Sequence, residues 1–284
     1  MKVRIVTDSV ACLPRPLVER HGIHIIPVRV TAAGRVYRDT EEELDPHRIR
    51  VLQQTSAIDT TPWSPDVYCR EYLEASHSAT TLIHVVAFSQ FTSTISLARA
   101  GAAMAQEARP GLRVEVFDSA TTGIAQGFVA LAAARALAAG GGITRALAAA
   151  EFVGSEVKSV FTLDTLHYLA RTGRVPRLTA WASGVLKVKP VIELSRGRER
   201  PIALARSRDQ GTRRLVEFVR DSASNEGPLH VAIMASDDIH ESESLRDSLE
   251  QLLHPMESLV VRASPVTQVV AGPGLLGVAF YRGT

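Results

Sequence analysis

The chain has 284 residues, with 32 Lys and Arg against 30 Asp and Glu for a net charge of +2; 45% of positions are hydrophobic but only 5% aromatic. That apolar content excludes a disordered chain, and the length suffices for one large core or two modest ones. Near-neutral charge and few aromatic residues argue against nucleic-acid binding, which draws on a basic face and on aromatic platforms for bases.

In chain order, Val3–Thr7 reads as a strand, Arg15–His21 as a helix, His24–Val30 as a strand, and the residues around Val36 as a short extended piece. A polar stretch follows, then a helix at Asp66–Ala75, a strand at Thr81–Val86, a helix at Thr94–Ala108 and a strand at Arg113–Phe117. An Ala-rich helix containing Phe128–Ala139 stops at Gly140, Gly141 and Gly142, and another helix spans Ile143–Val153. The Ala-rich run is too short for the roughly 20 residues of a bilayer span and carries Arg135. Strands alternating with helices predict a parallel sheet with crossover helices.

Further along come a strand at Ser159–Thr162, a helix at Thr165–Thr172, and a strand pair at Val188–Leu194 and Arg200–Ala205 joined by a turn at Gly197. Two tandem strands with a short turn form an antiparallel hairpin. A helix at Gln210–Ser224, a strand at His230–Ala235, a helix at Glu241–Leu252 and strands at Ser258–Arg262 and Gly277–Tyr281 complete the chain. The expected fold class is α/β with two domains, a parallel-sheet α/β domain at 1–155 and a mixed α+β domain at 156–284.

Cys12 and Cys69 are too few for a disulfide framework, and Asp8 interrupts any signal-peptide core, so a cytoplasmic protein is expected. Residues 272–277, Gly-Pro-Gly-Leu-Leu-Gly, match the dinucleotide fingerprint in letters only. That fingerprint needs a following helix for the pyrophosphate and a later acid for the ribose. These glycines instead suggest a backbone passing close to another group. Neither a P-loop nor a G-x-S-x-G elbow nor an H-E-x-x-H pair is present, and Ser155-x-x-Lys158 lacks the companion elements of penicillin-recognising enzymes. No metal or cofactor is expected.

Four hydroxyl-rich clusters remain: Thr7-Asp8-Ser9, Thr60-Thr61-Pro62-Trp63-Ser64-Pro65, Ser89-Gln90-Phe91-Thr92-Ser93-Thr94 and Asp118-Ser119-Ala120-Thr121-Thr122. Any one of them reads as a helix cap or turn. Their recurrence after successive strands favours a ligand, because the carboxyl edge of a parallel sheet collects such segments and helix N-termini there suit an anionic head group. The Arg171–Arg177 turn, with Arg206 and Arg208, reads either as solvated charge at a helix end or as a cationic rim.

Together, Ile5-Val6-Thr7-Asp8-Ser9, Leu13-Pro14, Tyr37 with Asp39, the segments at 60–65 and 89–94, Val116-Phe117-Asp118-Ser119, Leu166-His167-Tyr168-Leu169 with Gly173-Arg174, Lys189-Pro190, Arg206 and the terminal glycine segment resemble the DegV family, in order and over essentially the whole chain. The resemblance implies a non-catalytic protein that buries a long-chain fatty acid such as palmitate in a tunnel between its domains. It also implies a partner, an ATP-dependent fatty acid kinase subunit, with membrane contact at most transient. Carried over, Thr60, Thr61, Ser89, Thr92 and Ser93 would hold the carboxylate, and Arg174 and Arg206 would face the partner. Where the family has Ser-Gly-Thr this chain has Thr92-Ser93-Thr94, Thr172 replaces a glycine, and Val270 stands where a histidine is common. The alternative is a phosphotransferase-like or hydrolytic enzyme acting on a small ligand, since the family's fold resembles part of dihydroxyacetone kinases.

Overall fold

A computed structural model describes residues 2–54, 58–172, 178, 180, 188–223, 226–236 and 239–283. The chain divides into two units, Met1–Ser155 and Glu156–Thr284.

In the first unit, β1 (Val3–Asp8), β2 (His24–Ile26), β6 (Thr81–Val86) and β7 (Arg113–Asp118) form a parallel sheet in the order β2-β1-β6-β7. Its helices are α1 (Arg15–His21), α3 (Pro65–Ala75), α4 (Thr94–Ala108) and α5 (Ile124–Ala138), with α6 (Gly142–Glu156) closing the unit. Alternation along the strands assigns the two faces. Val6, Leu82 and Val114 pack with Tyr68, Tyr72, Ala98 and Ala102 of α3 and α4. On the opposite face, Gln126 of α5 donates to Thr7 Oγ1 at 3.1 Å and to the Val85 carbonyl at 3.3 Å. Helix α5 is apolar on nearly every side and buries Ile124 through Leu131 without a break, as a helix covered all round must.

The expected single strand at 24–30 is instead two strands in two sheets. Pro27, which has no N–H to give a ladder, ends β2 at Ile26; β3 (Arg29–Ala32) then pairs antiparallel with β4 (Arg35–Arg38) and with β5 (Ile58–Asp59). The polar stretch contains α2 (Pro46–Gln54), begun by a proline at its first position and buried through Ile49 and Leu52.

The second unit holds a six-stranded mixed sheet in the order β10-β9-β8-β13-β11-β12. Its strands are β8 (Lys158–Thr162), β9 (Lys189–Ser195), β10 (Arg198–Ala205), β11 (Leu229–Ala235), β12 (Glu257–Arg262) and β13 (Leu276–Arg282). The expected hairpin is β9–β10, antiparallel with a register shift between Pro201 and Ala203. β11 and β12 are parallel, and the remaining pairings are antiparallel. Helices α8 (Arg208–Ser222) and α9 (Ile239–Leu253) cover one face through Leu215, Val219, Leu245 and Leu249. Ile192, Leu163, Leu275 and Ala271 form a second core with α7 (His167–Arg171) and α10 (Pro265–Ala271). The expected helix at 165–172 is thus shorter at both ends, and α10 was not anticipated. No helix among the described residues is long and apolar enough to cross a membrane.

Candidate functional site

Because the crossover helices run antiparallel to the strands of the first unit, α3, α4 and α5 all begin at the carboxyl edge of the parallel sheet. The chain leaves β1 at Asp8, β6 at Val86 and β7 at Asp118. Backbone bonds tie the β6 and β7 exits together: Ser119 N–H donates to the Val86 carbonyl at 3.1 Å, and Phe88 N–H to the Thr121 carbonyl at 2.8 Å. Three of the four hydroxyl clusters therefore meet at one edge. The fourth leads into α3, with Trp63 Nε1 donating to the Pro27 carbonyl at 2.8 Å.

Each predicted carboxylate ligand has a definite place. Thr92 is half-buried; its Oγ1 lies 2.9 Å from Thr94 Oγ1 and accepts the Thr94 N–H at 3.2 Å, a local hydroxyl turn just ahead of α4, whose N-cap is Ser93. Ser93 and Ser89 are exposed; Ser93 offers its carbonyl to Ser96 Oγ, and the Ser89 N–H donates to Asp118 Oδ2 at 3.3 Å. Thr60 is half-buried, whereas Thr61 is exposed with its hydroxyl 2.5 Å from Asp59 Oδ1. Ser89, Thr92 and Ser93 thus share the loop between β6 and α4, and Thr60 and Thr61 share the segment ahead of α3.

Behind this hydroxyl rim lies a buried polar cluster that the sequence reading did not assemble. Thr7, Asp8, Thr94, Ser119, Thr121 and Gln126 are all buried. Asp8 caps the short turn at Ser9–Ala11, its Oδ1 accepting the Val10 N–H at 3.1 Å. Burial pushes the Asp8 carboxyl up to about 6, helped by the charge of Asp39 and opposed by hydrogen bonds from Gln126, Val10 and Ala87. The Tyr68 hydroxyl is hydrogen-bonded with Thr94; burial makes it a much weaker acid than an ordinary phenol, and the Asp8 charge adds to that shift. Gln126 Oε1 and Thr121 Oγ1 are buried with no hydrogen-bond partner among the described residues. An acid directly at the end of β1 was the available signal for this cluster; nothing local marks Tyr68 or Gln126, which arrive from α3 and α5.

Two polar clamps fasten the small β3–β4–β5 sheet to the parallel one. Ser9 Oγ donates to Asp39 Oδ2 at 2.5 Å and accepts the Val28 N–H at 3.0 Å. Glu71 of α3 takes Arg38 at 2.9 Å and His24 at 3.2 Å, which holds its carboxyl below the usual range.

In the second unit, the terminal glycine segment precedes a strand rather than a helix. Gly272 and Gly274 have φ of +80° and +75°, and a Cβ there would stand 2.2 Å from the Tyr168 ring and 2.3 Å from the Asp164 carboxyl carbon. These are the close approaches that the glycines suggested. Arg208 donates to the Gly274 carbonyl and pairs with Glu241 through Nε at 2.7 Å and Nη2 at 2.6 Å, while Lys189 pairs with Asp164. Arg206 is exposed, its backbone N–H donating to Gln210 Oε1 at 2.7 Å. Arg174 lies outside the described residues. Among the described residues, no group of His, Cys, Asp and Glu is arranged to hold a metal ion.

A family model described as "Uncharacterised protein, DegV family" matches residues 2–283. A DegV domain-containing protein of Streptomyces coelicolor is 32% identical over 279 residues, 97% of each chain, and protein DegV of Bacillus subtilis is 28% identical over 285 residues, 99% of each. Among solved structures, a fatty-acid-binding DegV family protein from Thermus thermophilus superposes with a TM-score of 0.88 at 27% identity, covering all of both chains. The Bacillus subtilis DegV structure, a fatty acid binding protein, gives 0.85 at 27% with the same coverage. The match along nearly its whole length shows that the chain belongs to the DegV family.

Proposed function

We propose that this chain is a fatty-acid-binding protein that sequesters a long acyl chain and fixes its carboxyl group with hydroxyls at the carboxyl edge of the parallel sheet. The observation that carries this reading is the likeness, over the full chain, to a fatty-acid-binding relative at a TM-score of 0.88 and 27% identity. The chemistry of the edge supports it. Thr92 and Thr94 present a hydroxyl pair at the start of a 15-residue helix, where free N–H groups favour a carboxylate without a full positive charge. Each acyl methylene buried contributes about 0.8 kcal/mol, so the chain supplies the affinity and the hydroxyls only orient the head.

Within this reading Thr60, Thr61, Ser89, Thr92 and Ser93 are the head-group residues. Arg206, exposed beside α8, faces a separate ATP-dependent kinase that would convert the presented carboxyl into an acyl phosphate, and the same role falls to Arg174, which lies outside the described residues. Native mass spectrometry of the purified protein, followed by lipid extraction, tests the binding: a long-chain fatty acid in stoichiometric amount is expected. Protein that carries none, and takes up none after delipidation, overturns it.

A further inference from the structure

Resting on that fatty-acid reading, we infer that Trp63 is a positioning residue for the head group: its anchored indole fixes Thr60 and Thr61, and so gives the site its preference for a carboxylate over a neutral chain end. Three observations converge on this. First, the segment that carries the two threonines is tethered at both ends. Ahead of it, β5 pairs with β3, and Asp59 at the end of β5 accepts the Thr61 N–H at 2.8 Å. Behind it, Trp63 Nε1 donates to the Pro27 carbonyl at 2.8 Å, and the half-buried ring packs against the core that holds Tyr68 and Tyr72.

Second, the indole is held from three elements. Pro27 follows β2; Arg38, the last residue of β4, sets its guanidinium 5.9 Å from the Trp63 ring centroid; Glu71 of α3 holds that guanidinium at 2.9 Å and is bonded in turn to His24 of β2 at 3.2 Å. A cation fixed by a carboxylate over an aromatic face restrains the ring as well as attracting it. Trp63 therefore sits where the parallel sheet, the small sheet and α3 meet. Third, the link from the indole back to the threonines is stiff. Pro62 fixes its own φ and confines Thr61 to extended backbone, while Pro65 does the same to Ser64, which has φ −68° and ψ 158°.

Physically, a head-group site built from hydroxyls depends on geometry, because hydrogen bonds weaken steeply as distance and angle depart from their optimum. Donors held in place before the ligand arrives spare it the cost of ordering them. Burial of the acyl chain is non-directional and does not draw on that order. Loosening Trp63 thus penalises the carboxylate and spares the chain. Coupling between two sites is reciprocal, so a carboxylate held by the threonines tightens the Trp63 anchor by the same factor.

The test uses delipidated full-length protein with palmitic acid and its neutral counterpart, palmityl alcohol. Trp63→Phe keeps an aromatic ring for Arg38 and deletes the N–H that Pro27 accepts. Its affinity for palmitic acid is expected to fall about tenfold, the equivalent of one hydrogen bond, with its affinity for the alcohol unchanged. In a background of Thr60→Val with Thr61→Val, the same change is expected to cost less than about twofold, because the hydroxyls it acts through are gone. In the wild type, the Trp63 indole N–H is told apart by nuclear magnetic resonance from that of Trp181, the chain's other tryptophan, with a Trp181→Phe protein. That N–H is expected to exchange about tenfold more slowly with palmitic acid bound than with the alcohol bound. Equal losses for acid and alcohol in Trp63→Phe overturn the inference, as does an undiminished loss in the background without the hydroxyls. Wild-type indole exchange that is the same with either ligand overturns it whether or not the variants fold. A wild type that takes up neither ligand overturns the fatty-acid reading, and this inference with it.

Discussion

The Tyr72 hydroxyl and His84 Nδ1 lie 2.6 Å apart, both fully buried, with the two rings edge-on at 5.5 Å between centroids. Burial, aided by the charge of His24, pushes the His84 imidazole down to about 3. His84 is therefore neutral in the folded protein over the range where an unfolded chain would protonate it.

A folded-state value below the ordinary 6.5 means that this stability is complete above about pH 6.5 and is lost as pH falls through about 3. The loss is roughly 5 kcal/mol at its full extent. His84→Gln retains an acceptor for the Tyr72 hydroxyl and has no charge to gain, so its urea-unfolding stability is expected to fall less steeply on acidification. Parallel pH profiles for the two proteins would remove His84 from this role.

Asp8 acts in the opposite direction. Its folded value is raised above the ordinary 3.8 to about 6, so the contribution is full below about 3.8 and is lost as pH rises through 6. Asp8→Asn should stabilise the ligand-free protein by about 3 kcal/mol at pH values well above 6 and hardly at all near pH 3.8. Thermal unfolding at both pH values checks this; equal shifts at both would contradict it.

Thr92→Ala removes the hydroxyl beside Thr94 and the acceptor for the Thr94 N–H. Losing that local hydrogen bond costs about 1 kcal/mol of stability, and fatty-acid affinity is expected to fall about tenfold, the equivalent of one lost hydrogen bond. Unchanged affinity in a competition assay would restrict Thr92 to shaping the turn ahead of α4.

Gly274→Ala places a methyl group 2.3 Å from a carboxyl that Lys189 holds, at a φ of +75°. Gly140→Ala has a similar φ, +80°, but meets nothing within 4 Å. The Gly140 variant should lose about 1 kcal/mol from backbone strain, and the Gly274 variant at least about 2 kcal/mol more from the clash. Equal losses in denaturant titrations would show that only backbone conformation matters at Gly274.

Ser9→Ala deletes the hydroxyl that joins Asp39 and the Val28 N–H. Hydrogen exchange in β3 and β4 is expected to speed up by about tenfold while β6 and β7 keep their protection. Uniform acceleration across both sheets would instead mean that the small sheet does not open as a separate unit.

Much of the architecture is written in local pattern. β1, β6 and β7 stand as expected because β-branched runs between turn residues have one stable arrangement, and the β9–β10 hairpin follows from a short turn at Gly197. Residues 24–30 were misjudged because β-branching dominates the segment while the missing N–H of Pro27 decides its pairing. Helix α2 escaped notice because only Ile49 and Leu52 are buried along it, too thin a stripe to show periodicity. The hydroxyls of residues 60–61 and 89–93 were legible as a candidate site because they recur after strands. Only the tertiary structure brought Asp8, Tyr68, Thr94 and Gln126 together, from one strand end and three different helices. Local propensity determines which segments become strands and helices; which buried polar groups come to lie together depends on distances between segments far apart in the chain, and those arise from packing.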